Sequence, residues 1–575
     1  MGRASTAPPD RTSADDVPEG DATLPRLVAR NAAEFPDSPA LTAGPSRWTW
    51  AQAEQDAHRV AAGLAELGLR RGQTLLIMAG SGPEHWLADV AATHLGAVPC
   101  TVYATLSQDQ VARIARHSRA RVVLLGGAEE LRTWAQALRA VDTIDRVVLL
   151  DDDAAAGAED PRVRSFGAVR ATGRRVLDGD PEAVARRARE VAPGDPAAIL
   201  YTSGEHKGVV LTHRNVCFAA AAVHQVAGTG GPAPRLSCQP LAHIAERVVS
   251  IYSAVHDVAH VHFCAGSDGV ATGLARVRPE LFFAVPQVWE VLTGALGADP
   301  RRLAEPDRRR LRERAGLDRV RWAGSGAAGD ELRSWFSALD VQLFELWGMT
   351  ETTGCVTSNR PGAHRPGTAG PVVPGMQVRT AADGEVLVRG PLVCAGYLQP
   401  DGAIVPAADA DGWLRTGDIG MIDADGYLTI TDRKRDLITG PGGKNIAPGA
   451  VESLLTEHPL VAAAAVFGDR RPYLVALLVL DEQRTRDWAR ERGIGCADLA
   501  GLARHPAVRS EVDRAVRSAN AHLGRFEQVR RHRLLGERWS AETGELAPTS
   551  TLRRGIVAER YAAELAVLYE EQPPG

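Results

Sequence analysis

The chain predicts an α/β fold. A large N-terminal domain carries two helix-flanked, mostly parallel sheets and a small β-barrel-like subdomain, and a small α+β domain follows at the C-terminus. Three observations carry this. Apolar strand runs alternate with helical patterns from about residue 24 to 200, and a second series of the same kind runs from about 195 to 350. Beyond 365 the texture changes to short alternating strands between Gly, Pro and Asp turns. Strands alternating with helices of roughly 10–15 residues indicate βαβ units on a parallel sheet.

Taken in order, Trp50 to Leu67 has alanine-rich helical spacing, and Thr74 to Ala79 is a continuous buried-strand run. Arg121 to Leu125 and Arg146 to Leu150 repeat that character. Ala197 to Tyr201 reads as a buried strand, Arg301 to Arg314 as a solvated helix face and Gly384 to Arg389 as an alternating strand. An apolar strand at Tyr473 to Leu480 anchors the last segment. The expected boundaries are a disordered arm at 1–22, a large domain at 23–432 and a small domain at 433–575.

Composition excludes several classes. At 61.2 kDa the chain is too long for one core, and its length suggests roughly three to four domains or subdomains. A net charge of −5 gives no basic footprint, so nucleic acid is not an expected partner. The seven cysteines show no metal spacing, which predicts reduced thiols and a cytoplasmic location. No apolar run reaches the roughly 20 residues that span a bilayer, although peripheral membrane contact stays open.

Lysine usage points to the chemistry. The chain holds three lysines, Lys207, Lys434 and Lys444, against 63 arginines. A lysine is a compact, mobile point charge, whereas arginine is a planar fork. Each lysine falls in a Gly-rich or charged stretch, as expected of ligand-binding loops. The strand ending at Tyr201 runs into Thr202-Ser203-Gly204-Glu205-His206-Lys207-Gly208, which serves equally as a phosphate cradle or an ordinary turn. Phe344 to Gly354 gathers an aromatic, a glycine, a hydroxyl and a carboxylate in one turn. Trp413 to Asp418 ends in an acid placed for a ribose diol, and Thr431 to Asp436 precedes the glycine loop Gly440 to Pro448.

Together these stretches resemble the adenylate-forming superfamily, most closely its long-chain acyl-CoA synthetase branch, from about residue 24 to 570. Gln239-Pro240-Leu241-Ala242-His243-Ile244-Ala245-Glu246-Arg247 resembles the PLAHI-ER segment of that branch. Phe282 to Glu290 resembles FFGVPRVWE, with Gln287 where arginine is usual. The resemblance implies a fatty or other carboxylic acid substrate, with ATP, Mg2+ and CoA. A carboxylate would attack the α-phosphate to give acyl-AMP, and the CoA thiol would then displace AMP.

The resemblance also implies roles. Thr202, Ser203, Gly204 and Lys207 would cradle phosphates; Thr350 would touch the α-phosphate, and Glu351 would hold Mg2+. Ala327 and Leu346-Trp347-Gly348 would bracket adenine, and Asp418 and Arg433 would bind the ribose. Arg435 would be the hinge about which a mobile C-terminal domain turns. Gly442, Gly443 and Lys444 would line the CoA tunnel, and His243 would lie near the acyl carboxylate. Each has a plainer reading: His243 as a core histidine, Glu351 as a helix N-terminal carboxylate, Asp418 as a turn cap, and Arg433 with Arg435 as a surface pair. Glu246 and Arg247 are predicted to pair with one another.

Three departures weaken the site. The usual TSGTTGxPKG loop has lost three residues between Gly204 and Lys207, and Glu205 adds a negative charge beside expected phosphates. The stretch Gly326 to Glu331 is about two residues shorter than GAAPLPPE. In Gly544 to Arg554, which resembles GELTPTLKxRR, the catalytic lysine position holds Thr551. An offset of two keeps one strand face, which makes Arg553 the expected substitute cation. Adenylation is accordingly expected to fall at least ~10²-fold. The alternatives are a relative repurposed for part of the reaction or another group, and a non-catalytic protein that keeps the fold.

Overall fold

The computed structural model describes residues 22–202, 207–228, 232–264, 269–439, 445–495, 498–540, 542–546 and 552–570. Two compact units emerge. The first comprises the described residues of Met1–Arg379, Val388–Leu414 and Ile422–Leu428; the second those of Thr380–Leu387, Arg415–Met421 and Thr429–Gly575.

The first unit contains an all-parallel five-stranded sheet in the order Val98–Thr101, Thr74–Met78, Val122–Leu125, Arg146–Leu149, Val163–Ser165. Successive residues of a strand point to opposite faces, and both faces are covered. Leu76, Met78, Val123, Leu125, Val147 and Leu149 pack on Gln108–Ser118 and Ala128–Ala140. Leu75, Ile77, Val122, Leu124 and Val148 pack on Trp50–Glu66, Pro83–His94 and Phe166–Gly179. This two-sided burial explains the continuous apolar runs. Thr49 starts the Trp50–Glu66 helix with a capping box: its Oγ1 accepts from Gln52 N–H at 3.3 Å, and Gln52 Oε1 accepts from Thr49 N–H at 3.0 Å.

Two helices on that sheet touch backbone to backbone. A Cβ on Gly63 would lie 2.1 Å from the Val169 carbonyl oxygen, and one on Gly173 would lie 1.7 Å from that of Arg59. Alanine is intrinsically the better helix former by about 1 kcal/mol, yet Gly173→Ala must push the helices apart. Overpacking of this kind costs about 1–3 kcal/mol. The variant is therefore expected to unfold at lower denaturant than the parent, and an unchanged midpoint would refute the close contact.

The second series differs in part from its expected form. Pro196–Tyr201 and Gly208–Thr212 form an antiparallel hairpin, joined by Gly396–Leu398 and Ile404–Val405. The physical reason is loop length: a few residues can reverse a chain, whereas parallel strands need a crossover of roughly a dozen. Parallel pairing returns in Arg235–Ser237 beside Val261–Phe263 beside Pro39–Ala43, which carries Ser46–Thr49 antiparallel on its far side. It returns again in Leu281–Ala284, Trp322–Ser325 and Leu343–Met349, with Gly354–Ser358 antiparallel at the edge. Beyond 365 the short strands Gln377–Thr380, Glu385–Arg389, Leu414–Ile422 and Leu428–Arg433 pair in that order.

In the second unit Val461–Phe467 runs antiparallel to Leu474–Leu480, which is parallel to Val529–Leu535. The central strand is buried throughout. Its even-numbered residues face a core with Val451, Leu502 and Val512, and Val475, Leu477 and Val479 face Trp539, Val557 and Tyr561.

Candidate active site

Parallel strands present ligand sites at their C-terminal ends, and in the first unit the relevant residues stand there. Ser325 pairs in register with Glu345. Glu345 Oε1 accepts from Ala328 N–H at 3.1 Å, and Arg333 bonds both Glu345 and the Ala328 carbonyl. This network fixes the loop that exposes Ala327 beside the strand carrying Leu346, Trp347 and Gly348. Gly348 is compulsory, because a Cβ there would sit 1.7 Å from the Gly354 carbonyl oxygen.

The stretch read as one turn is mostly strand. Leu343–Met349 is extended, and only Thr350–Thr352 forms a 3-10 turn, closed by Thr353 N–H to the Thr350 carbonyl at 3.0 Å. Glu351 in that turn is buried. Its Oε1 accepts from the Tyr397 hydroxyl at 3.3 Å, and the ammonium of Lys207 stands 5.3 Å from the Tyr397 ring centre. Such cation–π contacts are favourable within about 6 Å. Thr202 N–H donates to the Lys207 carbonyl at 3.2 Å. Thr202, Lys207, Glu351 and Tyr397 are thus brought together around the hairpin and its neighbouring strand. Tyr397 belongs to no motif read in the sequence; its pairing opposite Val209 reveals it. Ser203 and Gly204 lie outside the described residues.

The segment Gln239–His243 follows the Arg235–Ser237 strand. Gln239 Nε2 donates to the Phe283 carbonyl at 3.2 Å, and the Ser81 hydroxyl donates to the Gln239 carbonyl at 2.8 Å. Burial lowers the His243 imidazole to about 4, so it is neutral at pH 7. Its buried Nδ1 has no hydrogen-bond partner among the described residues, the condition of a group kept for a ligand or of a plain core histidine.

The predicted Glu246–Arg247 pair does not form. Arg247 makes a bidentate pair with Asp89 at 2.7 and 2.8 Å and also bonds Tyr252 and Thr101. Glu246 Oε1 instead accepts from the hydroxyls of Ser237 and Ser250, both at 2.6 Å. Neighbours one residue apart on a helix point in different directions, so adjacency does not make them partners.

Burial pushes Glu246 from its ordinary 4.5 up to about 7, against those two donors. The folded chain therefore holds a proton that the unfolded chain releases between those values. Its stabilising contribution is complete below pH 4.5 and is lost as pH rises through 7. Glu246→Gln is expected to remove that part of the decline in urea-unfolding stability between pH 5 and 8; parallel pH profiles for variant and parent would contradict it.

In the second unit Asp418 is buried, and Arg433 Nε lies 2.7 Å from its Oδ1. The Thr416 hydroxyl accepts from Asp418 N–H at 3.1 Å and donates to the Val386 carbonyl at 2.7 Å. Asp418 and Arg433 are therefore paired, which neither a lone turn cap nor a solvated surface pair describes. Lys434 is used internally, with its ammonium 2.7 Å from Asp383 and 2.9 Å from Glu385. That ion pair replaces the ligand-loop role read from its sequence setting. Arg435 occupies the exposed 3-10 turn Lys434–Asp436.

Gly442, Gly443, Lys444 and Thr551 lie outside the described residues. Arg553 does not sit in a strand, as the offset-of-two reading supposed. It immediately precedes helix Arg554–Arg560, and its N–H donates to the Glu545 carbonyl at 2.8 Å. Arg554 is committed to Glu452 and the Val466 carbonyl. Arg553 has no such ion pair among the described residues, which keeps it as the nearby cation.

Residues 28–398 match the AMP-binding enzyme family, and residues 435–573 match the AMP-binding enzyme C-terminal domain. The long-chain-fatty-acid–CoA ligase FadD15 of Mycobacterium bovis is 30% identical over 573 residues, covering 91% of this chain and 92% of that protein. Among solved structures, the anthranilate CoA ligase AuaEII in complex with anthranoyl-AMP is 20% identical, with a TM-score of 0.75 over 97% of this chain and 100% of its own. O-succinylbenzoate CoA synthetase from Bacillus subtilis, in complex with ATP and magnesium ion, is 20% identical with a TM-score of 0.68 over 93% and 99%. At such identities the structures speak to the fold alone.

Proposed function

The chain belongs to the AMP-binding enzyme family, and from that premise we propose that it is an AMP-forming acyl-CoA ligase for fatty acids. It would join the acid to AMP at the expense of ATP and then pass the acyl group to CoA. The observation that carries the reading is the convergence of buried Glu351, the Tyr397 hydroxyl and the Lys207 ammonium beside the strand end bearing Leu346, Trp347 and Gly348.

In this reading Lys207 and the Thr202 loop receive phosphate oxygens, and the exposed Ala327 loop and Trp347 flank the base. Thr350 reaches the α-phosphate. Asp418, oriented by Arg433 and by the Thr416 hydroxyl on its own backbone, accepts the ribose hydroxyls. A buried carboxylate with one oxygen already hydrogen-bonded is a hard oxygen donor suited to Mg2+, and Glu351 would hold it. Mg2+ supplies phosphate charge neutralisation when bound. His243, neutral and with a free Nδ1, would face the acyl carboxylate without adding charge. Gly442, Gly443 and Lys444 would line the CoA path and Arg435 would be the hinge. Adenylation is weakened, because Thr551 replaces the expected lysine and Arg553 substitutes from a helix entry. The scattered cysteines, none at metal-ligand spacing, fit a reducing, cytoplasmic location. Among the described residues no helix is long and apolar enough to cross a membrane.

The test is ATP–pyrophosphate exchange with saturated fatty acids of graded length and with aryl acids as controls. Slow, fatty-acid-dependent exchange is expected, together with acyl-CoA formation. ATP binding without exchange would favour the repurposed relative, and absence of nucleotide and acyl-CoA binding would favour a non-catalytic protein.

A further inference from the structure

Away from the residues assigned above, two imidazoles converge on one buried carboxylate. His224 lies in the last turn of helix His213–Ala227; His256 ends helix Ser253–His256, and Asp257 follows it. Each imidazole places Nδ1 against the same oxygen, Asp257 Oδ1, at 2.9 and 2.8 Å. The three donor atoms all lie within 4.8 Å of one another. The other carboxylate oxygen is gripped by Arg235 at 2.8 Å, and the side chains of Arg235 and Asp257 are 0% and 1% exposed. No local motif announces the cluster, because His224 and the His256–Asp257 pair are separated by an intervening strand and helices.

We propose that His224, His256 and Asp257 form a binding site for a divalent first-row transition-metal ion, zinc foremost, on the first unit. Two imidazole nitrogens and one carboxylate oxygen are a donor set that zinc favours, at bond lengths of about 2.0–2.2 Å, with a fourth position for water. Tetrahedral bonds of that length set donors roughly 3.3 Å apart. The two nitrogen–oxygen distances need only widen by about half an ångström. A neutral imidazole carries a single N–H, so each ring would offer the Nδ1 lone pair to the ion and hold its one proton on Nε2. Arg235 fixes the carboxylate so that Oδ1 faces the imidazoles, the orienting hydrogen bond that metal-binding carboxylates commonly carry. The carbonyl end of the fifteen-residue helix His213–Ala227 also favours a cation. His224 has 41% of its side chain exposed, which leaves an entry path and room for water. The Arg235 charge opposes the ion, so the affinity is expected to be moderate.

The experiment titrates ZnCl2 into chelator-stripped full-length protein by calorimetry, with CoCl2 absorption reporting the ligand field. One ion per chain is expected, with a rise in melting temperature on binding. His224→Ala and His256→Ala should each weaken the affinity at least ~10-fold and remove the thermal shift. His224→Gln keeps side-chain bulk without an imidazole and should behave like His224→Ala. Changing the stacked pair His260 and His262 to alanine, whose rings lie 3.9 Å apart, should leave the titration unchanged. Binding unaffected in the folded His224 variants, loss of binding only in the His260/His262 variant, or no saturable zinc binding to the parent would each overturn the proposal.

Discussion

Replacing Thr551 by lysine is expected to raise fatty-acid-dependent pyrophosphate exchange by about 10²-fold, the share of barrier lowering that one well-placed charge donor supplies. In Gly544 to Arg554 the position that resembles the bridging lysine holds a hydroxyl, and no residue after Lys444 is a lysine. Arg554 is held by Glu452 and Arg560 pairs with Glu537 and Glu545, so neither can be redeployed without breaking its own ion pair. Arg553 is the remaining substitute, and Arg553→Ala should abolish the residual exchange in the parent while costing less in Thr551→Lys. Equal exchange rates for parent and Thr551→Lys would show that the weakness lies elsewhere, the shortened 204–207 loop being the next candidate. Acyl transfer from a supplied acyl-AMP should be nearly the same in both, because the missing charge acts at the α-phosphate.

The largest stability effect is expected at Arg247. Its guanidinium and the Asp89 carboxylate are both wholly excluded from solvent and joined by two parallel hydrogen bonds. Arg247→Met leaves a charged carboxylate buried without its partner, a change that costs about 3–5 kcal/mol. The pair itself stands in a different relation to stability, since an apolar pair of similar volume is often tolerated. The double change of Arg247→Met with Asp89→Leu should therefore recover much of the loss in urea midpoint. If the double variant were as unstable as Arg247→Met alone, the lesion would be lost packing around Tyr252 and Thr101 rather than an orphaned charge.

These two cases show what the sequence could and could not disclose. The Thr74–Met78 strand and the Trp50–Glu66 helix were legible because burial on one or both faces writes a period directly into the residues. Glu351 and Asp418 were legible as members of ordered motifs, and both are buried in their own units, Glu351 in the turn after a strand and Asp418 in the middle of one. Partners were not legible. Arg247 bonds an acid 158 positions away, and Tyr397 reaches Glu351 through strand pairing, which no local spacing encodes. Lys434 stood in a charged stretch that resembled a ligand loop, yet the carboxylates of Asp383 and Glu385, some fifty positions earlier, consume its charge. The hairpin at 196–212 was hidden for another reason: an apolar strand run carries no mark of the direction in which its neighbour runs.

One pairing sets a timetable for synthesis. Leu41 finds its parallel partner in Val261, so the strand Pro39–Ala43 leaves the ribosome long before anything can cover that edge. At roughly 5–20 residues per second, the intervening stretch takes about 10–40 s to emerge. The five-stranded sheet, whose strands all lie between Thr74 and Ser165, can assemble during that interval; the Pro39–Thr49 ribbon cannot. Nascent chains arrested before Val261 should accordingly be cut by protease near residue 40 while the stretch from Thr74 to Ser165 already resists.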